Sequence, residues 1–399
     1  MVAGASLFAC AATVVGWRIW RRLDATPPPF APEAALVDFR DAVYYPVVAF
    51  LDGANPYDRA FMLAHYPVNG TVGLYSPSTL LLHLPWGLLP YRAAELAFVL
   101  WSMALVVVLA AVAWRVAGTR ADAGLVLGLA GVLVLSRPGH WNLFLGQVAL
   151  ETGLATLAAL WWGRTRPALG GLGLAIATFK ATYGLPLVLL MAARRDWRAL
   201  GIGLAAGAVL TLAPAAVLIS RVGVEGLVGG VLANYESRVT TPKMSAAAST
   251  FRVDAVALVA RTVGAAPDFV STLALGVAIL AVAALALRRF AARTDAPARR
   301  HGLAIGALAI LLCTYHQQYD LVWLAPLLVA AWPLAPFRRA QVPAVLVGVP
   351  FVNYVASAGM QRATGWSDAV VLLPSSLNVI ALLAAFAWLV RDAFRAEAR

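Results

Sequence analysis

Apolar runs of about 16 to 22 residues recur along this chain, separated by short turns that carry arginine. Runs of that length predict helices that cross a bilayer, in which every backbone polar group must be paired internally. The pattern places them at 5–20, 94–114, 121–136, 141–162, 199–219, 269–287, 302–315, 321–337, 341–356 and 371–390. A further apolar region, 167–192, has Lys180 at its middle and arginines at both ends. A single span there would put Arg164 and Arg166 on the opposite face from Arg194 and Arg195. Two half-length helices meeting near Lys180 keep all four on one face, with each half about 18 Å long. The expected fold is an all-α polytopic membrane protein of about ten full transmembrane helices plus a half-membrane hairpin, forming one domain over residues 1–399.

Charge sets the expected orientation. The turns with Arg115/Arg120, Arg164/Arg166, Arg194/Arg195/Arg198, Arg288 through Arg300, Arg338/Arg339 and the tail from Arg391 fall on one face. The positive-inside rule makes that face cytoplasmic, with both termini on it and the protein multi-pass in the cell membrane. Those turns account for the whole net charge of +12, so the rest of the chain is neutral. A pI near 10.3 is therefore a product of topology. No basic aromatic stripe accompanies it, which argues against a nucleic-acid partner. Arg18, Arg21 and Arg22 run against the rule, because they end the first helix on the other face.

Composition agrees. The chain is 61% hydrophobic and 13% charged, whereas soluble domains are roughly half apolar and a quarter charged. The two cysteines, Cys10 and Cys313, sit in apolar runs and match no disulfide or metal-ligand spacing. Residues 5–20 lack a basic leader and are followed by Arg21 and Arg22 instead of a small-residue cleavage site, so they are expected to be the first span.

The polar segments on the expected external face carry the candidate chemistry. The first, residues 23–92, contains Asp38-Phe39-Arg40-Asp41-Ala42-Val43-Tyr44-Tyr45, then Asn55-Pro56-Tyr57, then Tyr75-Ser76-Pro77. Its apolar stretches 42–51 and 78–89 are too short to span and suit interfacial helices. The second, residues 220–268, contains Arg252. Shorter turns contribute Arg137, Gln147 and the run from His316 through Tyr319 and Asp320. Asp38 and Asp41 can accept a proton, His316 can exchange one near neutrality, and Lys180, Arg252 and Arg137 can neutralise a phosphate. Each has a plainer alternative. Asp38 and Asp41 could be solvated acids or a cap for the helix from Ala42. His316 and Asp320 could form a span-ending turn. Lys180 could be a snorkelling residue or the partner of Glu151. His65, His83 and His301 are read as structural.

The ordered set Asp38 to Tyr45, Gly53 to Asp58, Tyr75-Ser76-Pro77, Gly146-Gln147-Val148, Phe179-Lys180, Arg194-Arg195-Asp196-Trp197-Arg198 and His316 through Leu321 resembles glycosyltransferase family 87. This is a family of the GT-C class that includes the mycobacterial mannosyltransferases of phosphatidylinositol mannoside synthesis. The resemblance implies an inverting transferase with no cofactor or metal. It would move a sugar, mannose first and arabinofuranose as the alternative, from a polyprenyl-phosphate donor to a glycolipid or glycan acceptor. An aspartate in the first external loop would be the general base. Asp38 and Asp41 both fit that role. Asp41 is preferred here because it immediately precedes the apolar helix, and Asp38 remains because of the hydrophobic residue after it. Tyr44, Tyr45, Asn55, Tyr57, Tyr75, Arg137, Gln147, Lys180, Arg252, His316, Tyr319 and Asp320 are the expected donor and acceptor contacts. The rival from another class is a transporter or lipid flippase, which would show interrupted helices at matching places in both halves.

Overall fold

The computed structural model describes residues 1–23, 34–69, 73, 75–239, 241, 244–290, 293, 295–329, 341–357, 360 and 363–395. The proline-rich stretch, residues 330–337 of one expected span, and Arg338/Arg339 fall outside them. The described chain is helical, with one isolated antiparallel bridge between Arg252 and Gln317. It is a multi-pass membrane protein.

Among the described residues five helices are long and apolar enough to cross a bilayer: Val2–Trp20, Tyr91–Ala117, Trp197–Ser237, Phe269–Arg289 and Ala369–Arg395. Less than half of the apolar window in each is buried. Residues such as Val209, Leu212, Val277 and Leu373 face outward, as lipid-facing positions should. Their ends are set locally. Asp268 caps its helix by accepting from Ser271 N at 2.7 Å, and Gly118 ends Tyr91–Ala117 in the left-handed conformation.

The expectation of about ten full spans is overturned. Among the described residues there are five such helices, or six if one bent pair counts as a span. The run 121–136 is helical only over Ala123–Leu135, because Ser136 starts a new helix by capping Gly139 N with Pro138 in the first turn. The two helices meet at 72°. The run 141–162 is cut by Gly146 at φ 70°, leaving Ala149–Trp162. The run 302–315 belongs to Ala296–Cys313, which carries Arg299 and Arg300 in its first turns and is buried from His301 to Cys313. It is the centre of the bundle, shielded from lipid. The run from 321 begins as a 3₁₀ helix, Gln318–Leu324, followed by helical residues Ala325–Val329. The run 341–356 forms Gln341–Val352 and a 3₁₀ turn, Tyr354–Ala356. Hydropathy measures apolar length, and buried helices in a large bundle are as apolar as spanning ones.

Residues 167–193 form Pro167–Ala177 and Ala181–Ala193, which turn back on each other at Thr178–Lys180. Arg164 donates to the Arg194 carbonyl at 3.4 Å, closing the open end. At 1.5 Å per residue the two helices are about 16 and 20 Å long, short of the roughly 30 Å hydrocarbon core. Their turn and the start of Ala149–Trp162 lie at one end of the bundle, and the arginine-bearing turns at the other.

The first polar segment is folded onto this end. A π turn, Arg40–Tyr44, runs into Tyr45–Leu51, and the later stretch forms Ser78–Leu82 and Leu84–Gly87. Val47, Tyr57 and Leu80 pack with Leu218 and Leu227 of the long helix Trp197–Val239. That helix continues well into the expected second segment, interrupted at Gly223 (φ 73°).

Helix Ala149–Trp162 meets the 3₁₀ segment at Gly153, where an added Cβ would come within 2.4 Å of Trp323 Cβ. Trp323 is fully buried. Gly153→Leu is therefore expected to destabilise the protein by about 1–3 kcal/mol through overpacking. Gly201→Leu, at a position with open space around it, should be tolerated. Thermal melts in detergent compare the two, and equal melting would refute the packing at Gly153.

Candidate functional site

The first site element is fixed by two left-handed residues in contact. Leu36, at φ 57°, precedes the helical turn Val37–Phe39, and its N–H donates to the Phe144 carbonyl at 2.7 Å. Gly146 lies opposite, where a Cβ would meet Phe39 Cβ at 2.6 Å and Leu36 Cα at 3.3 Å. Only glycine permits that approach. It sets Asp38 beside Gln147, whose Nε2 donates to Asp38 Oδ2. Gln147 Oε1 in turn accepts from the Tyr75 hydroxyl at 3.4 Å. Asp38 is half-buried and remains accessible.

Asp41 is placed differently. Its carboxylate is fully buried. Oδ1 accepts from Arg40 Nε at 2.7 Å and Oδ2 from Asn69 N at 2.9 Å. It ties the π turn to the segment after residue 65.

The second element is the turn at Lys180. Phe179 O accepts from Ser76 N at 3.0 Å, which brings Tyr75 to this turn, and the Tyr75 ring meets Phe179 edge-on at 5.6 Å. Lys180 Nζ donates to Asp320 Oδ1 at 2.6 Å and lies 5.0 and 5.4 Å from the ring centres of Tyr183 and Tyr319. The same Asp320 oxygen accepts from the Tyr183 hydroxyl at 2.8 Å. Asp320 Oδ2 accepts from Gln317 N at 2.9 Å, as part of a capping box that starts the 3₁₀ helix. The acid is 1% exposed. Burial is the largest influence and would raise its pKa, but Lys180, His316 and the bonds from Lys180 and Gln317 N together outweigh it and hold it below the ordinary value.

His316 completes the cluster. It is fully buried, and its ring lies 4.8 Å from Tyr183. Nδ1 is 3.2 Å from the Thr314 carbonyl. Nε2 has no hydrogen-bond partner among the described residues. Burial pushes its pKa down to about 4, against the opposing pull of Asp320, so the ring is neutral near pH 7. Tyr319 lies between the two acids. Its phenol is held well above its ordinary pKa by burial first, then by Asp320, with Tyr315 and Asp38 adding to the effect.

Seven of the expected residues thus converge: Asp38, Tyr75, Gln147, Lys180, His316, Tyr319 and Asp320. Tyr57 and Arg252 stand one step back. The Tyr57 hydroxyl donates to Tyr75 O at 2.8 Å. Arg252 forms a two-pronged pair with Asp254 at 2.8 and 2.9 Å, while its neighbour Val253 donates from N to His316 O at 3.0 Å. Tyr44 donates to Leu89 O at 2.8 Å. Tyr45 joins an aromatic group with Tyr66 and Tyr91. Asn55 closes a turn by accepting from Tyr57 N. Arg137 donates to Asn353 O at 2.6 Å, at the far end of the helix Arg137–Leu145. These four do not join the cluster.

Sequence reasoning missed Tyr183, although three residues after Lys180 on a helix is a facing position. It also left Glu151 as a candidate partner for Lys180. Glu151 instead accepts from Trp101 Nε1 at 2.7 Å and pairs with His83 Nε2 at 2.8 Å. His83 lies edge-on to Phe179, 5.4 Å away. This pair braces the Lys180 turn from below.

The glycosyltransferase family 87 model matches residues 74–314, well over half of the chain. The chain belongs to this family. It is therefore a GT-C-type membrane glycosyltransferase. The matched stretch holds Tyr75, Gln147 and Lys180, while Asp38 precedes it and His316, Tyr319 and Asp320 follow it. No curated protein and no solved structure matches the chain.

Two outcomes follow from the cluster. Asp320→Asn should destabilise the protein by about 3–5 kcal/mol, because Lys180 keeps its charge without its acid. The double change Lys180→Met/Asp320→Asn should recover part of that loss in melting experiments. A double variant no more stable than Asp320→Asn would mean the pair is not coupled. The second outcome concerns pH. Between about pH 6.5 and 4 the unfolded chain protonates His316 while the fold resists, so stability should fall as pH drops through that window. His316→Gln should show a shallower decline in melting temperature over the same range, and an unchanged slope would contradict the buried neutral ring.

Proposed function

We propose that this glycosyltransferase inverts a polyprenyl-phosphate sugar, with mannose as the first donor sugar and arabinofuranose as the alternative, onto a glycolipid or glycan acceptor. The reaction is assigned to the extracytoplasmic face, because the arginine-rich turns lie at the opposite end of the bundle from the cluster. The observation that carries this reading is the arrangement around Asp38. An accessible carboxylate, oriented by Gln147, shares one cluster with a half-buried lysine and a neutral histidine with a free nitrogen among the described residues.

The chemistry follows from those roles. Inversion needs a base on one face of the sugar and charge stabilisation for the leaving group on the other. The acceptor hydroxyl oxygen attacks the anomeric carbon and gives its proton to Asp38. The bond between that carbon and the phosphate oxygen breaks, and the lipid phosphate leaves with the electron pair. Lys180 is assigned to that phosphate. Its ammonium has three N–H donors and Asp320 takes one of them. His316 Nε2 is assigned to a hydroxyl or phosphate oxygen of the donor. Asp38 is preferred over Asp41, whose two oxygens are both engaged in a fully buried site. Arg137, Tyr44, Tyr45 and Asn55 are given supporting roles in the fold. Family membership favours an enzyme over the transporter reading.

The test is transfer of radiolabelled sugar from purified polyprenyl-phosphate mannose and arabinofuranose donors. Asp38→Asn should lower turnover by about 10²–10⁴-fold with little change in donor affinity. Asp41→Asn should act mainly through stability. Full turnover in Asp38→Asn would remove Asp38 as the base, and no transfer by the native protein from either donor would reject the donor class.

A further inference from the structure

At the end of the bundle away from Asp38, an open cleft lies where four helix ends meet, with enclosed room of only about 20 Å³ beneath its mouth. Its walls include Trp161, Arg164, Arg194, Phe290, Arg293 and Arg299. It lies about 20 Å from Lys180, the length of helix Ala181–Ala193 that joins the two. Topology explains why arginines collect on this face, but it does not require four of them to converge on one cavity. Arg299 lies with its guanidinium carbon 4.0 Å from the Trp161 ring centre, and Nη2 donates to Trp161 O at 2.7 Å. Stacking and that bond hold its fork in one plane, yet its Nε is buried with no partner among the described residues. Arg194 donates to Leu160 O and pairs with Asp196 at 3.1 Å. Arg293 pairs with Asp295 at 2.9 Å. Two acids therefore face four arginines, and Arg299 keeps one buried donor without a partner among the described residues.

We propose that this cleft binds the phosphate of an anionic membrane-lipid headgroup. Arginine forks match phosphate oxygens in pairs, and basic pockets between membrane helices on the arginine-rich side hold such headgroups. Leu287 and Phe290 give the cleft an apolar wall at the end of the span Phe269–Arg289, at the depth where the glycerol and first acyl carbons of a bound lipid would lie. The site is independent of the transfer reaction, and its readout is lipid binding.

The test uses native mass spectrometry of the purified full chain with phosphatidylglycerol or phosphatidylcholine added in detergent. The native protein should retain phosphatidylglycerol preferentially. Arg164→Gln/Arg293→Gln should bind it roughly 30-fold more weakly, from about a fivefold loss for each cation. Both side chains are exposed, so the fold should survive, and Arg164→Lys/Arg293→Lys, which keeps the charge but loses the fork, should bind with intermediate strength. Equal retention of the two lipids by the native protein, or of phosphatidylglycerol by native and glutamine variants, overturns the proposal. Displacement of the lipid by millimolar inorganic phosphate also overturns it, because the ligand would then be the free ion.

Discussion

The ion pair between Lys180 and Asp320 is the contact on which the site end of this protein depends. Two charges in a nearly dry position lose hydration worth several kcal/mol each, and their attraction offsets that only when every remaining lone pair finds a donor. Here Lys180 and Tyr183 share one oxygen of Asp320 while Gln317 N takes the other. The pair therefore does more than neutralise. It holds the turn between two short helices, which neither could fix alone, against a chain reversal that would otherwise be an open loop. Because the capping box uses the same acid, the start of the 3₁₀ helix and the position of Tyr319 are set by the same interaction. The bridge from Arg252 to Gln317 then fastens the segment after residue 244 to that reversal.

Asp38 reaches this cluster through a backbone constraint. Leu36 and Gly146 both adopt left-handed conformations and approach within a Cβ diameter. A leucine at φ 57° is strained, of the order of 1–2 kcal/mol, and strain of this kind persists only where the surroundings over-determine it. The Phe144 carbonyl and the stacked Phe39–Phe98 rings, 4.2 Å apart, supply that restraint. The result is a carboxylate oriented by a carboxamide from the turn between two other helices, with the adjoining π turn keeping Arg40 and Asp41 inward. π turns of this sort recur at functional sites because they re-aim side chains without ending the helix.

Much of this was legible in the sequence, and the failures share a cause. Five hydropathy runs became spans, because a lipid-facing helix must be apolar along its whole length. The other five were apolar for a different reason. Ala296–Cys313 is surrounded by protein, and the runs near 121–162 are broken where Ser136, Pro138 and Gly146 stop a helix without adding polarity. Composition cannot distinguish these cases, because a protein interior and a bilayer interior select the same side chains. The cluster residues were legible as chemistry, since Lys180, His316 and Asp320 are polar groups in apolar surroundings. Their pairing was not. Glu151 was the partner expected for Lys180, and it is the reversal of the chain after Cys313 that brings Asp320 there instead. Asp38 and Asp41 likewise differ by one helical turn, and burial alone separates an accessible acid from an internal one.

The distribution of charge gives the two ends different chemistry. Away from the arginine-bearing turns, acids and bases balance, and the buried cations there are engaged: Arg40 with Asp41, Lys180 with Asp320, Arg252 with Asp254. An anionic donor entering such a site meets no net positive field to draw it in from a distance. It must share a lysine with an acid already in place. Such sharing is geometric, because only a phosphate placed within reach of the remaining N–H donors of Lys180 recovers the hydration it gave up. The affinity gained is modest and the positional demand is high. For the isoprenoid-tailed donor proposed above that balance would be favourable, since confinement to the membrane already raises its local concentration and the site has only to align the anomeric carbon with the acceptor.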